Sequence, residues 1–404
     1  MVLSLIIVAA KLGGELLGRL GQPPVLGELL IGVLLGNLSL FGIAGLEPLR
    51  ESSMLRVVAQ IGAILLLFEV GVESDLFQLL AVGWSSLVVA TLGVIVPMFL
   101  GYIVSSQLLP DASRLTHLFV GGTLTATSVG ITARVFKDLG TANTKEARII
   151  LGAAIADDVI GLVVLAVISG LVTAAAASGG GAGVNLGSVL WIAVKACVFL
   201  SLAVVVGRFW SQRIFVHAAK LQVPGVLLGL CLCFCFIVAA ISGLVGLAPL
   251  VGAFAAGIVL EEVHYRPFRE RGERKVEELL FPITTLIVPV FFVMMGFRVD
   301  LKSFASPAVW GFAALITLAA IVGKQVCALG VLERGLDRLA IGVGMIPRGE
   351  VGLIFAGMGA TLTLAGKPIL SATTFSALVL MIMLTTFITP PLLKIVLESK
   401  RSGN

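Results

Sequence analysis

The chain has 404 residues, of which 58% are hydrophobic and only 13% charged, with 47 glycines and a formal net charge of +5. Soluble domains carry about 25% charged residues, and none of this size hides so much apolar surface, so soluble, disordered, collagen-like and disulfide-scaffold classes are excluded. What remains is an all-α polytopic membrane protein; its small positive balance is loop charge that sets orientation, not affinity for nucleic acid.

A helix that crosses a bilayer needs about 20 residues. Apolar runs broken by short polar loops predict thirteen spans, near 2–20, 24–45, 54–73, 83–107, 114–138, 146–174, 187–210, 223–243, 246–263, 277–297, 306–332, 337–363 and 368–397. The first run holds Lys11, Glu15 and Arg19 and is followed by no signal-peptide cleavage pattern, so it is read as a retained span. With the N-terminus outside and the C-terminus in the cytoplasm, eighteen Lys and Arg residues fall at inner ends and six at outer ends. That bias is the one expected of a correctly oriented chain. Nothing in the sequence distinguishes a plasma membrane from a thylakoid-type one.

In chain order, the third span ends in Glu69 and Glu73, read as packing residues at an interface. The fifth is interrupted by Thr125-Ala126-Thr127-Ser128-Val129-Gly130, residues that loosen a helix. The sixth carries adjacent carboxylates, Asp157 and Asp158, between apolar flanks. Residues 174–187 are uncharged and Gly-rich, a flexible outer linker. Cys197, Cys231, Cys233, Cys235 and Cys327 all sit in apolar runs and read as small fillers, since spacing of two residues splays side chains around a helix. Residues 261–278 are densely charged with both signs, a solvated inner loop. The eleventh span holds Lys324, and the twelfth is broken by Gly344-Met-Ile-Pro347-Arg348-Gly349-Glu350-Val-Gly352. His117, His217 and His264 lie near span ends or in loops and read as surface histidines.

The two broken spans are seven apart. An odd offset inverts the second set of helices, so spans 1–6 and 8–13 form two inverted repeats with span 7 as connector. Paired interrupted spans in two halves are the sequence pointer to a transport site.

Each charge held at mid-membrane costs about 2.5–3.5 kcal/mol on insertion scales, so the retained ones need a use. Neighbours on a helix point 100° apart, so Asp157 and Asp158 face different partners. Lys324 suits one of them, as an ion pair that is structural or functional. The other carboxylate can hold a proton or a cation but not both, which is the chemistry of exchange. Hydroxyls and freed carbonyls at Thr127 and Ser128 would complete an oxygen shell for a small hard cation. Arg348 and Glu350 either neutralise half-helix ends or pair with each other.

Four stretches make the chain resemble the monovalent cation:proton antiporter-2 family, in particular its two-aspartate sodium/proton antiporters. They are Gly21-Gln-Pro-Pro-Val-Leu-Gly-Glu28 with Gly32–Gly36, Thr125–Arg134, Ala156-Asp-Asp-Val-Ile-Gly161, and Pro347-Arg-Gly-Glu-Val-Gly352. The resemblance implies a sodium/proton antiporter fold of thirteen helices, a homodimer, and an elevator motion of a core against a dimerisation domain. On that basis residues 1–80 and 222–302 form the dimerisation domain. Residues 81–175 and 303–404 form the ion-translocating core, and 176–221 are linker and connecting helix. It further implies that Asp158 binds cation and proton alternately, that Asp157 pairs with Lys324, that Thr127 and Ser128 lie on one crossing helix, and that Arg348 and Glu350 form the charged pair of the other. Potassium-exporting relatives usually have Gln-Asp where this chain has Asp157-Asp158, so sodium is favoured. The chain ends seven residues after Leu397, so the cytoplasmic nucleotide-binding domain of some relatives is not expected. No cofactor is expected beyond the transported Na⁺ and H⁺, and no enzymatic activity. The alternatives are a potassium/proton antiporter, a cation channel, for which a filter sequence is missing, and an intramembrane aspartyl protease, whose carboxylates must converge on one water.

Overall fold

The computed structural model describes residues 2–42, 52–74, 83–139, 141, 144–177, 186–221, 223, 225–260, 268 and 272–401. His264, the middle of the 174–187 linker and most of the charged 261–278 loop lie outside them.

The first repeat contains α1 (Val2–Arg19), α2 (Pro24–Gly36), α3 (Ser53–Glu73), α4 (Trp84–Leu108), α5 (Arg114–Thr123), α6 (Val129–Asp138) and α7 (Lys145–Ala177). The connector is α8 (Leu186–Ala218). The second contains α9 (Val226–Leu244), α10 (Pro249–Val259), α11 (Val276–Phe297), α12 (Pro307–Cys327), α13 (Arg338–Gly344), α14 (Glu350–Thr361) and α15 (Ala372–Arg401). Each of the thirteen predicted spans coincides with a helix or, at the fifth and twelfth, with two half-helices. Helix starts follow local chemistry. Ser113 and Asp337 accept hydrogen bonds from Thr116 N and Ala340 N to cap α5 and α13, and proline opens α2, α10 and α12.

Among the described residues eight helices are long and apolar enough to cross a membrane alone, and the chain is an integral membrane protein. The predicted second and ninth spans are longer than the helices that fill them. Helices α2 and α10 have 13 and 11 residues, about 20 and 17 Å at 1.5 Å per residue. They are enclosed by neighbours over much of their length, where short backbone is tolerated because protein, not lipid, surrounds it. A Cβ on Gly32 of α2 would collide with the Val293 carbonyl of α11, and one on Gly296 of α11 with the Leu29 carbonyl of α2. Glycine therefore sets how closely these two helices approach.

The packing pattern repeats between the two halves. Helix α1 lies on α2 as α9 lies on α10; α3 packs on α10 as α11 packs on α2. The third helices, α3 and α11, meet each other, as do the fourth helices, α4 and α12. Helix α4 packs on α7 as α12 packs on α15. Helices α1–α3 and α9–α11 form one group, α4–α7 and α12–α15 another, and α8 packs on α7, α9 and α10. Between α14 and α15 a two-stranded hairpin, β1 (Thr363–Leu364) and β2 (Lys367–Pro368), turns through Ala365 and Gly366, both at positive φ.

Candidate functional site

The site is built where the two broken spans touch. Helix α5 ends at Thr123 and α6 begins at Val129; α13 ends at Gly344 and α14 begins at Glu350. The unwound segments are joined by a backbone bond from Ser128 N to Pro347 O of 2.8 Å, and by Thr132 Oγ1 donating to Gly344 O at 2.6 Å. Gly349 lies against Ser128 so closely that a Cβ there would sit 2.6 Å from its Oγ. Proline supplies no N–H at the break, and Gly349 permits the contact, so both residue types serve the crossing.

Each break leaves carbonyls free at the end of one half-helix and N–H groups free at the start of the next. Two buried cations cover the carbonyl side. Lys324 Nζ donates to Thr125 O at 2.7 Å. Arg348 donates from NH1 to Ala126 O at 3.0 Å and from NH2 to Ala320 O at 3.3 Å. Both side chains are fully buried. The N–H side carries acidic charge: Glu350 opens α14 and accepts a 3.4 Å bond from Ser128 Oγ. Of the two sequence readings for Arg348 and Glu350, the structure realises the half-helix one; Arg348 binds carbonyls and not Glu350. Thr386 of α15 donates to the Arg348 carbonyl and ties the second crossing to the last helix.

The adjacent aspartates part company as the helix geometry requires. Asp157 is fully buried and bridges Lys324 with both oxygens, at 3.2 and 3.1 Å. Gly93 of α4 makes room for this pair, because a Cβ there would lie 3.2 Å from Lys324 Nζ. Asp158 has a different fate. Its Oδ1 is buried and has no hydrogen-bond partner. A buried carboxylate oxygen without a donor is costly unless something occupies it. A proton or a small hard cation is the chemistry that satisfies it. Thr127 is buried, and its hydroxyl donates a long 3.4 Å bond to Met345 O, which leaves its oxygen lone pairs available.

A cavity of about 690 Å³ leads to this crossing. It runs from exposed Leu20, Arg134 and Lys394 past Gln22, Pro23 and Pro24 to Ser128 and Glu350. The first four residues of the Gly21–Glu28 motif, Gly21 to Pro24, are thus part of its wall. Pro390 and Pro391 of α15 form another side.

All seven sequence-predicted residues (Asp157, Asp158, Thr127, Ser128, Lys324, Arg348 and Glu350) belong to this crossing and the helices against it. Sequence reasoning missed Thr132 and Thr386, hydroxyls that seal the breaks, and the Gln22–Pro24 wall. Only the cluster of hydroxyls in Thr385-Thr386 and Thr389 hinted at a polar helix face. One reading needs correction: His117 is not a surface residue. It is buried in α5, with Nδ1 2.8 Å from Ser105 Oγ and its ring edge-on to Tyr102. An isolated histidine in a polar-started helix gives no sign of which face is covered. His217 is exposed, with Nδ1 against the Arg213 carbonyl. Glu69 is half-buried and accepts from Thr284 of α11, in keeping with a packing role.

The chain has relatives. The family model for the transmembrane part of sodium/hydrogen exchangers matches residues 2–399. The high-affinity Na(+)/H(+) antiporter NhaS3 of Synechocystis sp. is 36% identical, over 99% of this chain and 90% of that protein. The Na(+)/H(+)-K(+) antiporter GerN of Bacillus cereus is 35% identical over 98% and 96%. Among solved structures, the sodium proton antiporter MjNhaP1 of Methanocaldococcus jannaschii superposes with a TM-score of 0.70 at 17% identity, covering 98% of this chain and 96% of that one. This last likeness establishes the antiporter fold. With a broken-helix crossing, a buried Asp–Lys pair and a match along the whole chain, the protein belongs to the sodium/hydrogen exchanger family.

Proposed function

We propose that the protein is a secondary active sodium/proton antiporter in which Asp158 binds Na⁺ and H⁺ alternately. The observation that carries this reading is the buried, unpartnered Asp158 Oδ1 beside an Asp157 that is already neutralised by Lys324. The names of NhaS3 and GerN support it.

The physical logic is one of charge. An empty, ionised Asp158 carried through the low-dielectric interior costs about 2.5–3.5 kcal/mol, which suppresses its movement roughly 100-fold. A proton or a sodium ion removes that charge, so only the loaded carrier crosses, and the two loads are exchanged. Lys324 and Arg348 hold the carbonyl ends of the broken helices, so the pull on a cation is left to Asp158 and to the oxygens of Thr127 and Ser128. The core helices α4–α7 and α12–α15 move as an elevator against α1–α3 and α9–α11, which form the dimerisation domain of a homodimer. The cavity at Ser128 and Glu350 then faces the cytoplasm, because its rim shares the chain end rich in basic residues. Asp157 can leave Lys324 to carry a second proton, which makes the cycle electrogenic.

GerN carries potassium in its name, so exchange of K⁺ is the second reading. Proteoliposomes loaded with a pH-sensitive dye and challenged with Na⁺, Li⁺, K⁺ and Rb⁺ decide between them. Under the sodium reading Na⁺ moves protons and K⁺ does not. Asp158→Asn abolishes the response to every cation; a retained sodium-driven pH change in that variant refutes the assignment.

A further inference from the structure

A second cavity lies at the far end of α14 from Glu350. It has a volume of about 290 Å³. One wall is a single face of α14: Ile354, Gly357, Met358 and Thr361 follow the i, i+3, i+4, i+7 spacing of one helical stripe. The opposite wall is α3, α10 and α11, including Ala59, Ala63, Met294 and Met295. Three methionines line the space, and their flexible thioethers let an apolar wall adapt to an occupant.

The rim is not apolar. Arg56, in the first turn of α3, and Arg298, just past the end of α11, both line the cavity. Arg298 also donates from NH1 to the Ala360 carbonyl of α14 at 3.4 Å, which holds its guanidinium at this rim. Both stand at helix ends, the level at which a membrane presents lipid headgroups. An apolar slot roofed by two arginines is complementary to an amphiphile with an anionic head. The volume is at the low end of ligand pockets, so it takes one chain and leaves the head at the arginines.

We propose that this cavity is a binding site for an anionic phospholipid, with one acyl chain between α14 and the α3–α10–α11 wall and the phosphate between Arg56 and Arg298. The lipid contacts the same face of α14 that begins at Glu350, so it braces the arrangement in which that cavity is open. The site itself does not depend on the antiport reading, and its test uses binding alone.

Thermal unfolding of the purified full chain in detergent is followed with added dioleoylphosphatidylglycerol or dioleoylphosphatidylcholine. Phosphatidylglycerol raises the midpoint by several degrees, and the zwitterionic lipid with identical chains does not. Arg298→Gln cuts the rise at least threefold, and the Arg56→Gln/Arg298→Gln double variant removes it. Ala63→Phe, or the milder Ala59→Leu, fills the slot and removes it with both arginines present. Arg114→Gln, a cation outside the cavity, and Asp158→Asn both keep the full rise. Equal effects of the two lipids, a rise that survives the double arginine variant, or one lost equally in Arg114→Gln overturn the proposal. The same rise with inorganic phosphate alone would assign the arginines to a soluble anion instead and overturn the lipid assignment.

Discussion

Replacing Lys324 by Gln tests the buried charge pair on which the site rests. The substitution removes contacts of 3.2 and 3.1 Å to Asp157 and a 2.7 Å bond to the Thr125 carbonyl. Both partners of the pair are fully buried, so no water replaces the lost charge. Breaking a buried ion pair from one side costs about 3–5 kcal/mol, and the orphaned carbonyl adds about 1–3 kcal/mol unless the new amide reaches it. Lys324→Gln is therefore expected to lose about 5 kcal/mol of stability. Asp157→Asn alone leaves a buried ammonium without its counter-charge and is expected to lose a similar amount. The double variant has no buried charge left at this point, so it should recover at least half of the loss. Thermal or denaturant unfolding of the four proteins in one detergent gives the coupling energy as a double-mutant cycle. Parent-like stability for Lys324→Gln, or a double variant no better than the worse single one, refutes the pairing argument. In proteoliposomes the same lysine variant should also lose the electrogenic component of exchange; an unchanged current would remove the second proton from the mechanism.

Gly349→Ala pushes a methyl to within 2.6 Å of Ser128 Oγ; overpacking of this kind costs about 1–3 kcal/mol, so the protein should still fold while exchange falls at least tenfold, read by unfolding midpoint and dye assay together. If protons and sodium compete for Asp158, the apparent KM for Na⁺ should rise roughly tenfold per pH unit on the acid side while the maximal rate changes little; a KM independent of pH between 6 and 8.5 contradicts a shared site. Orientation is checked in a Cys197→Ser/Cys233→Ser background. A membrane-impermeant maleimide should label Lys394→Cys only from the cytoplasmic face and Ser306→Cys only from outside, and the reverse pattern inverts the assigned topology.

Much of this architecture was legible because a bilayer makes composition eloquent. Thirteen apolar runs marked eleven helices and two pairs of half-helices, and the odd offset of the two breaks implied the inversion. Charge was equally informative: Asp157, Asp158, Lys324, Arg348 and Glu350 stand out in a chain this apolar, and the 100° step between the aspartates implied that they face different partners. What stayed hidden depends on neighbours that a linear pattern does not name. Whether Arg348 meets Glu350 or the carbonyls of Ala126 and Ala320 depends on how the two unwound segments cross each other beside α12. The burial of His117 depends on α4 presenting Ser105 and Tyr102 to it. The close enclosure of α2 and α10 rests on glycine contacts such as Gly32 with Val293 and Gly71 with Phe254, which need both helices in place. Apolar periodicity reports that a stretch is buried from water and cannot say whether protein or lipid covers it.

The central claim is that one carboxylate, Asp158, serves both ions, and proton release on sodium binding measures it most directly. Calorimetric titration of the detergent-purified protein with Na⁺, in buffers of different ionisation enthalpy, gives the number of protons released per ion bound. The account predicts that Na⁺ binding expels protons near neutral pH and that Asp158→Asn neither binds Na⁺ nor releases protons. Sodium binding with no proton release, or undiminished binding by Asp158→Asn, would contradict it.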